Sequence, residues 1–151
     1  LLVFRSSAHT GFSPTMTADP RRVAARKLEQ QVQVRFTHDP CIIGTAEGQV
    51  HARPGDAIVT GSAGEVWRVS EARFAGKYRP SGLTRAGEPG VYISEPNRVL
   101  ALQLDEPFRV VLTDDVSELT GRPGDWLVDY GDGSLGVVAG DIFAATYEIL
   151  R

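Results

Sequence analysis

The chain has 151 residues, enough for one domain or two very small ones packed together. Its 42% hydrophobic and 23% charged composition is that of an ordinary globular protein, and no run of 18 apolar residues exists to span a membrane as a helix. The net charge of −3 divides into +4 over residues 1–37 and −7 over residues 38–151, so the acidic body argues against nucleic-acid binding outside the basic N-terminal segment.

Residues 1–15 are rich in Ser, Thr and Gly, lack periodicity, and read as a disordered or upstream extension, with Met16 a natural start. Leu1 to Phe4 is too short for the apolar region of a signal peptide. One cysteine, Cys41, allows no internal disulfide and fits a reducing, cytoplasmic compartment. Arginine outnumbers lysine 14 to 2, as expected of a GC-rich bacterial genome or one of its viruses. Asp19-Pro20 supplies an N-cap and a first-turn proline, and Arg21 to Gln31 is rich in helix formers, which predicts a short helix. Arg21 and Arg22 in its first turn oppose the helix dipole.

From Val32 the period becomes two, with Val32, Val34 and Phe36 on one face of a strand. Cys41-Ile42-Ile43 predicts a second strand. Ala57 to Thr60 and Glu65 to Val69 flank Gly61-Ser62-Ala63-Gly64 as a hairpin. Ser70 then caps a short helix whose buried face carries Phe74 and Tyr78. Residues 81–98 are a Pro/Gly-rich connector around the strand Val91-Tyr92-Ile93. Strands follow at Val99 to Leu104, Phe108 to Leu112, Trp126 to Asp129 and Leu135 to Val138, and a last helix carries Phe143, Tyr147 and Ile149.

The strongest feature is a repeat. Arg53-Pro54-Gly55-Asp56 recurs 69 positions later as Arg122-Pro123-Gly124-Asp125. At the same offset Val59/Val128, Gly64/Gly133, Val69/Val138, Phe74/Phe143, Ala75/Ala144 and Tyr78/Tyr147 also match, giving ten identities without a gap. Residues 16–80, with an N-terminal helix, are expected to form the first repeat and residues 99–151 the second, packed as one domain. The expected class is α+β and β-dominated, made of two small twisted antiparallel units, each closed by a short C-terminal helix. A folding role accounts for Pro-Gly-Asp: proline presets φ, glycine takes φ > 0, and aspartate accepts backbone N–H groups.

Pro123-Gly124-Asp125-Trp126-Leu127-Val128, Gly133 and Phe143-Ala144-Ala145-Thr146-Tyr147 together closely resemble the PGDYG family of small bacterial and phage proteins. The first copy is similar over residues 41–78 but has Ala57 in place of the aromatic and Lys77 in place of threonine. The resemblance implies a compact β-rich accessory domain and no particular reaction.

Motifs that would carry chemistry fail on context. Gly131-Asp132-Gly133-Ser134-Leu135-Gly136 fits a dinucleotide fingerprint but lies in a hairpin turn, without the long helix the motif requires. Asp129 to Gly133 has the wrong spacing for a calcium loop. His38, Cys41 and His51 are too few and too irregularly spaced for zinc and read as loop histidines beside a buried thiol. No metal, cofactor or enzymatic activity is expected.

Asp56, Trp67, Asp125 and Trp126 are the candidate ligand-binding residues, at a seam between the repeats. Trp126 stands where the first copy has Ala57, and Trp67 where the second has Gly136. A bulky residue of one repeat facing a small one of the other gives either complementary core packing or an aromatic-lined pocket. The expected function is therefore a non-catalytic interaction or structural module, with a protein partner or self-association. The alternative is a small-molecule sensor with its site at the seam. Neither membrane association nor nucleic-acid binding is expected; if any part touched phosphate, it would be the basic N-terminal segment.

Overall fold

The computed structural model describes residues 1–8 and 10–151. In chain order the first elements are β1 (Leu2–Arg5), α1 (Pro14–Ala18), β2 (Val23–Lys27), β3 (Gln30–Phe36), β4 (Cys41–Thr45) and β5 (Gly48–Ala52). Next come β6 (Ala57–Thr60), β7 (Val66–Val69), α2 (Glu71–Lys77), β8 (Tyr78–Pro80) and β9 (Gly90–Ser94). The last are β10 (Asn97–Gln103), β11 (Phe108–Val111), β12 (Glu118–Gly121), β13 (Trp126–Asp129), β14 (Leu135–Val138), α3 (Gly140–Thr146) and β15 (Tyr147–Ile149). Strand dominates, as the alternating patterns require. The elements divide into two compact units, residues 28–96 and residues 1–27 with 97–151.

In the unit of residues 28–96 a five-stranded antiparallel sheet has the order β7-β6-β3-β9-β8. Val32, Val34, Ala57, Val59, Val69 and Tyr92 point to the face that also buries Phe74 of α2 and Tyr78. The β4–β5 hairpin places Ile43 and Ala52 with Ile58 of β6 in a smaller cluster. Helix α2 stops at Lys77, and Tyr78 already has extended dihedrals as the first residue of β8. Its ring still stacks on Phe74, centroids 4.9 Å apart and planes 8° apart, so the pair expected on one helix face meets across a helix end.

In the unit of residues 1–27 and 97–151 the five-stranded sheet runs β14-β13-β10-β2-β15. Strand β10 alternates: Val99 and Ala101 pack with Trp126, Val128, Phe143 and Tyr147, while Leu102 packs with Phe108, Val110 and Leu127. The Leu102 cluster includes residues of a second, three-stranded sheet, β1-β11-β12. The last helix ends at Thr146, and Tyr147 to Ile149 forms β15 against β2.

Two expectations about the N-terminal region are overturned. The helix predicted over Arg21 to Gln31 is instead strands β2 and β3. Helix propensities in this stretch differ by tenths of a kcal/mol per residue, whereas β2 is hydrogen-bonded on both edges, to β10 and β15, and buries Ala25 completely. Asp19 caps no helix there; it follows α1, and its carboxylate holds Arg21. Leu2–Arg5, Pro14 and Thr15, within the segment expected to be an extension, are also part of the fold. Strand β1 pairs in parallel with β11 from Leu2↔Phe108 to Arg5↔Val111, and Phe4 packs on the core. Ser13 caps α1 with Pro14 behind it, which turns Met16 into the core at 1% exposure.

Candidate functional site

Each Arg-Pro-Gly-Asp corner is a type II turn. Asp56 N–H donates to Arg53 O at 3.1 Å, and Gly55 sits at φ +91°, where a side chain would be strained. Asp56 Oδ2 accepts from Arg53 N–H at 2.9 Å. Residue 37 clamps the corner: Gly55 N–H donates to Thr37 O at 2.8 Å, and Thr37 N–H donates to Asp56 O at 2.9 Å. The later corner repeats this network. Asp125 N–H donates to Arg122 O and Arg122 N–H to Asp125 Oδ2, both at 2.9 Å, with Gly124 at φ +95°. Gly124 N–H donates to Leu104 O at 2.7 Å, and Leu104 N–H to Asp125 O at 3.1 Å.

The surroundings of the two aspartates differ. Asp56 is buried at 5% exposure, 3.8 Å from the Arg68 guanidinium, which also donates to His51 O at 2.8 Å. Its Oδ1 accepts a long bond, 3.4 Å, from Glu71 N–H at the start of α2. Asp125 is half-buried. In both corners the carboxylate holds the backbone of its own turn.

The tryptophans are packed within their own units. Trp126 is 8% exposed and stacked on Phe143, which in turn stacks on Tyr147 with centroids 4.6 Å apart. Trp67 is half-buried, and its Nε1 donates to Tyr78 OH at 3.0 Å. Beside Ala57, the room that Trp126 fills elsewhere is occupied by Phe36 and Tyr92, whose rings lie 5.2 Å and 5.0 Å from Phe74. Beside Gly136, a Cβ would come within 2.9 Å of Tyr130 OH, so Tyr130 covers the space of the missing side chain. The large-for-small exchanges at 57/126 and 67/136 are thus compensated inside each sheet. Asp56 and Trp67 belong to residues 28–96, and Asp125 and Trp126 to the other unit.

Cys41, expected to be buried, is exposed at the start of β4. His38 and His51 are exposed as well. Of the Gly131 to Gly136 segment, Gly131 to Ser134 lie in the β13–β14 connection and Leu135-Gly136 open β14, so it precedes a strand and no helix.

Two features lay outside the expected site. Asp129 is fully buried, and its carboxylate accepts from Gly131 N–H at 2.9 Å and from Ser13 N–H at 2.8 Å, which ties the N-terminal segment to the β13–β14 turn. An open cleft of about 680 Å³ is lined by Phe12, Pro20, Arg22, Ala24, Arg98 and Leu100. Its floor is the cross-strand pair Ala24↔Leu100, flanked by two exposed guanidiniums. The sequence signal for it is a doublet, Arg21-Arg22, just before β2, whose partner β10 lies seventy-odd residues away.

The model of the PGDYG family, described as PGDYG protein, matches residues 48–148, from β5 through both Arg-Pro-Gly-Asp corners to β15. The chain belongs to the PGDYG family. Comparison with curated proteins and comparison with solved structures find no match. Among the described residues no helix is long and apolar enough to cross a membrane.

Proposed function

We propose that this PGDYG protein is a non-catalytic interaction or structural module of bacterial or phage origin, built from two tandem, diverged copies of one unit. The two-copy reading is supported by the 69-residue offset and by the recurrence of the corner hydrogen bonds around Thr37 and Leu104. The matching strand orders β7-β6-β3-β9-β8 and β14-β13-β10-β2-β15 support it further, since β6, β7 and β8 stand at the same offset as β13, β14 and β15.

The interaction reading rests on the outer edge of β1. This strand ends its sheet, and Leu1, Leu2 and Val3 are exposed at 75%, 36% and 43%. Natural edge strands are guarded by charge, proline, a bulge or short length; β1 is short and carries one charge, Arg5, at its end, while Leu2-Val3-Phe4 carries no charge or proline. Such an edge accepts another strand through its main chain, with apolar side chains adding affinity. The partner is a protein strand, including that of a second copy. Light scattering over a concentration series tests this: the wild-type chain is expected to self-associate and the Val3→Lys variant to remain monomeric. A wild-type monomer throughout, together with no partner captured in an edge-dependent way, contradicts the reading.

A second reading is favoured by the Arg22/Arg98 cleft, which suits a small anion carrying an apolar or aromatic body. It predicts thermal stabilisation by such a compound that Arg98→Glu abolishes.

A further inference from the structure

Strands β2 and β9 each belong to a sheet away from the strand that follows them. Only Leu28-Glu29 separates β2 from β3, yet β2 pairs with β10 and β15. Only Glu95-Pro96 separates β9 from β10, yet β9 pairs with β3 and β8. The registers are equivalent: Lys27↔Asn97, Val99↔Ala25 in one sheet, and Gln30↔Ser94, Val32↔Tyr92 in the other, every position offset by 67. The same contacts could be made locally, by folding β2 onto β3 with Lys27 opposite Gln30 and β9 onto β10 with Ser94 opposite Asn97. Each local pairing would be a two-residue hairpin.

The sequence opposes those hairpins in two ways. Two-residue turns need φ > 0 at one or both loop positions and favour Gly, Asn or Asp there. Leu28-Glu29 and Glu95-Pro96 offer none of these, and Pro96 fixes its own φ and drives Glu95 to an extended conformation. The slots also differ in size. In the slot beside β10 the central residue is Ala25, fully buried in the cluster of Trp126, Phe143 and Tyr147. In the slot beside β3 it is Tyr92, at 1% exposure, with its ring edge-on to Phe36 and Phe74 and its OH donating to Glu88 O at 2.7 Å. A tyrosine in the first slot would meet the stacked Trp126 and Phe143, and an alanine in the second would leave a void.

We propose that the two halves of the chain, divided in the loop between β8 and β9, are matched and non-interchangeable mates. Each supplies to the other's sheet a strand whose central side chain is sized for that slot, and neither half can serve as its own partner. The equivalence of the slots rests on the two-copy reading above; the exchange itself rests on strand pairing alone.

Two experiments on the full chain test this. In a Cys41→Ser background, Arg26→Cys with Arg98→Cys is expected to oxidise readily to an intrachain disulfide, because the two are register partners. Arg26→Cys with Gln31→Cys, the pair a local hairpin would bring together, is expected to stay reduced. The reverse result overturns the exchange and leaves the two-copy reading standing. For the mating rule, a protease site is inserted after the fully exposed Leu83, and the cut chain is unfolded, refolded and weighed by native mass spectrometry. The expected product is the one-to-one pair of halves, with homodimers of the N-terminal half appearing only when Ala25→Tyr is introduced; that half carries all of the cluster around Phe74 except Tyr92, whereas the C-terminal half alone would lack Phe4 and Met16. Separate halves, or homodimers of the N-terminal half already present with Ala25 intact, overturn the mating rule. A one-to-one pair that yields no homodimer with Ala25→Tyr overturns the slot equivalence, and with it the two-copy reading, while the exchange stands.

Discussion

Trp126 lies flat on Phe143, ring centroids 4.0 Å apart and planes within 10° of parallel. The contact makes the aromatic after Pro-Gly-Asp a core residue that seats α3 on its sheet. Replacing Trp126 by alanine is expected to cost about 3–5 kcal/mol, the range for a buried aromatic. Trp67, half-buried, should cost roughly half as much. Urea denaturation of both variants checks the order; equal losses would contradict it.

The two corner aspartates should separate in the same way. Asp56 is buried beside Arg68, whereas Asp125 is half-buried. Asp56→Ala strands several donors and is expected to cost about 2–3 kcal/mol, against about 1 kcal/mol for Asp125→Ala. Chemical denaturation distinguishes these values, and a larger loss at Asp125 would show that burial beside Arg68 is not what sets the cost.

The N-terminal segment is expected to be structural. Met16 is 1% exposed among Leu102, Leu104 and Phe108, so Met16→Ala should cost about 2–3 kcal/mol. A thermal midpoint unchanged by the substitution would contradict its place in the core.

Asp19 gives a pH-dependent signature. Hydrogen bonds from the Arg21 side chain and then from its backbone N–H lower the carboxyl pKa from 3.8 to about 2. Because the folded value is depressed, the stabilisation is fully present above pH 3.8 and is lost as pH falls through about 2. Arg21, the partner of Asp19, is exposed, so the effect on global stability is small. An NMR titration of the Asp19 carboxyl carbon should show a midpoint near 2 that returns toward 3.8 in Arg21→Ala.

Local signals were legible in the sequence: the alternation of Val32, Val34 and Phe36, the Gly61 to Gly64 hairpin, the corners, and the helices after Ser70 and Ala139. These follow from dihedral preference and periodicity, which act over a few residues. What was hidden depends on distant partners. Arg21 to Gln31 has helix-like composition, and only the flanking strands β10 and β15, far along the chain, make it strand. Ser6, Ser7, Gly11 and Ser13 gave no sign of order because their backbone bonds run to Val111, Gly133, Gly131 and Asp129. The large-for-small exchanges were visible, but their compensation by Phe36, Tyr92 and Tyr130 required knowing which strands share a sheet. The Arg22/Arg98 cleft was hidden for the same reason.

The central claim is that the protein acts through a surface that binds protein. Native mass spectrometry of gently purified wild-type chain beside Val3→Lys tests it most directly. The account predicts bare multiples of the 16.4 kDa chain for the wild type and the monomer alone for the variant. A monomer carrying a few hundred extra daltons that are lost on denaturation, unchanged by Val3→Lys, would contradict it in favour of a small-molecule site.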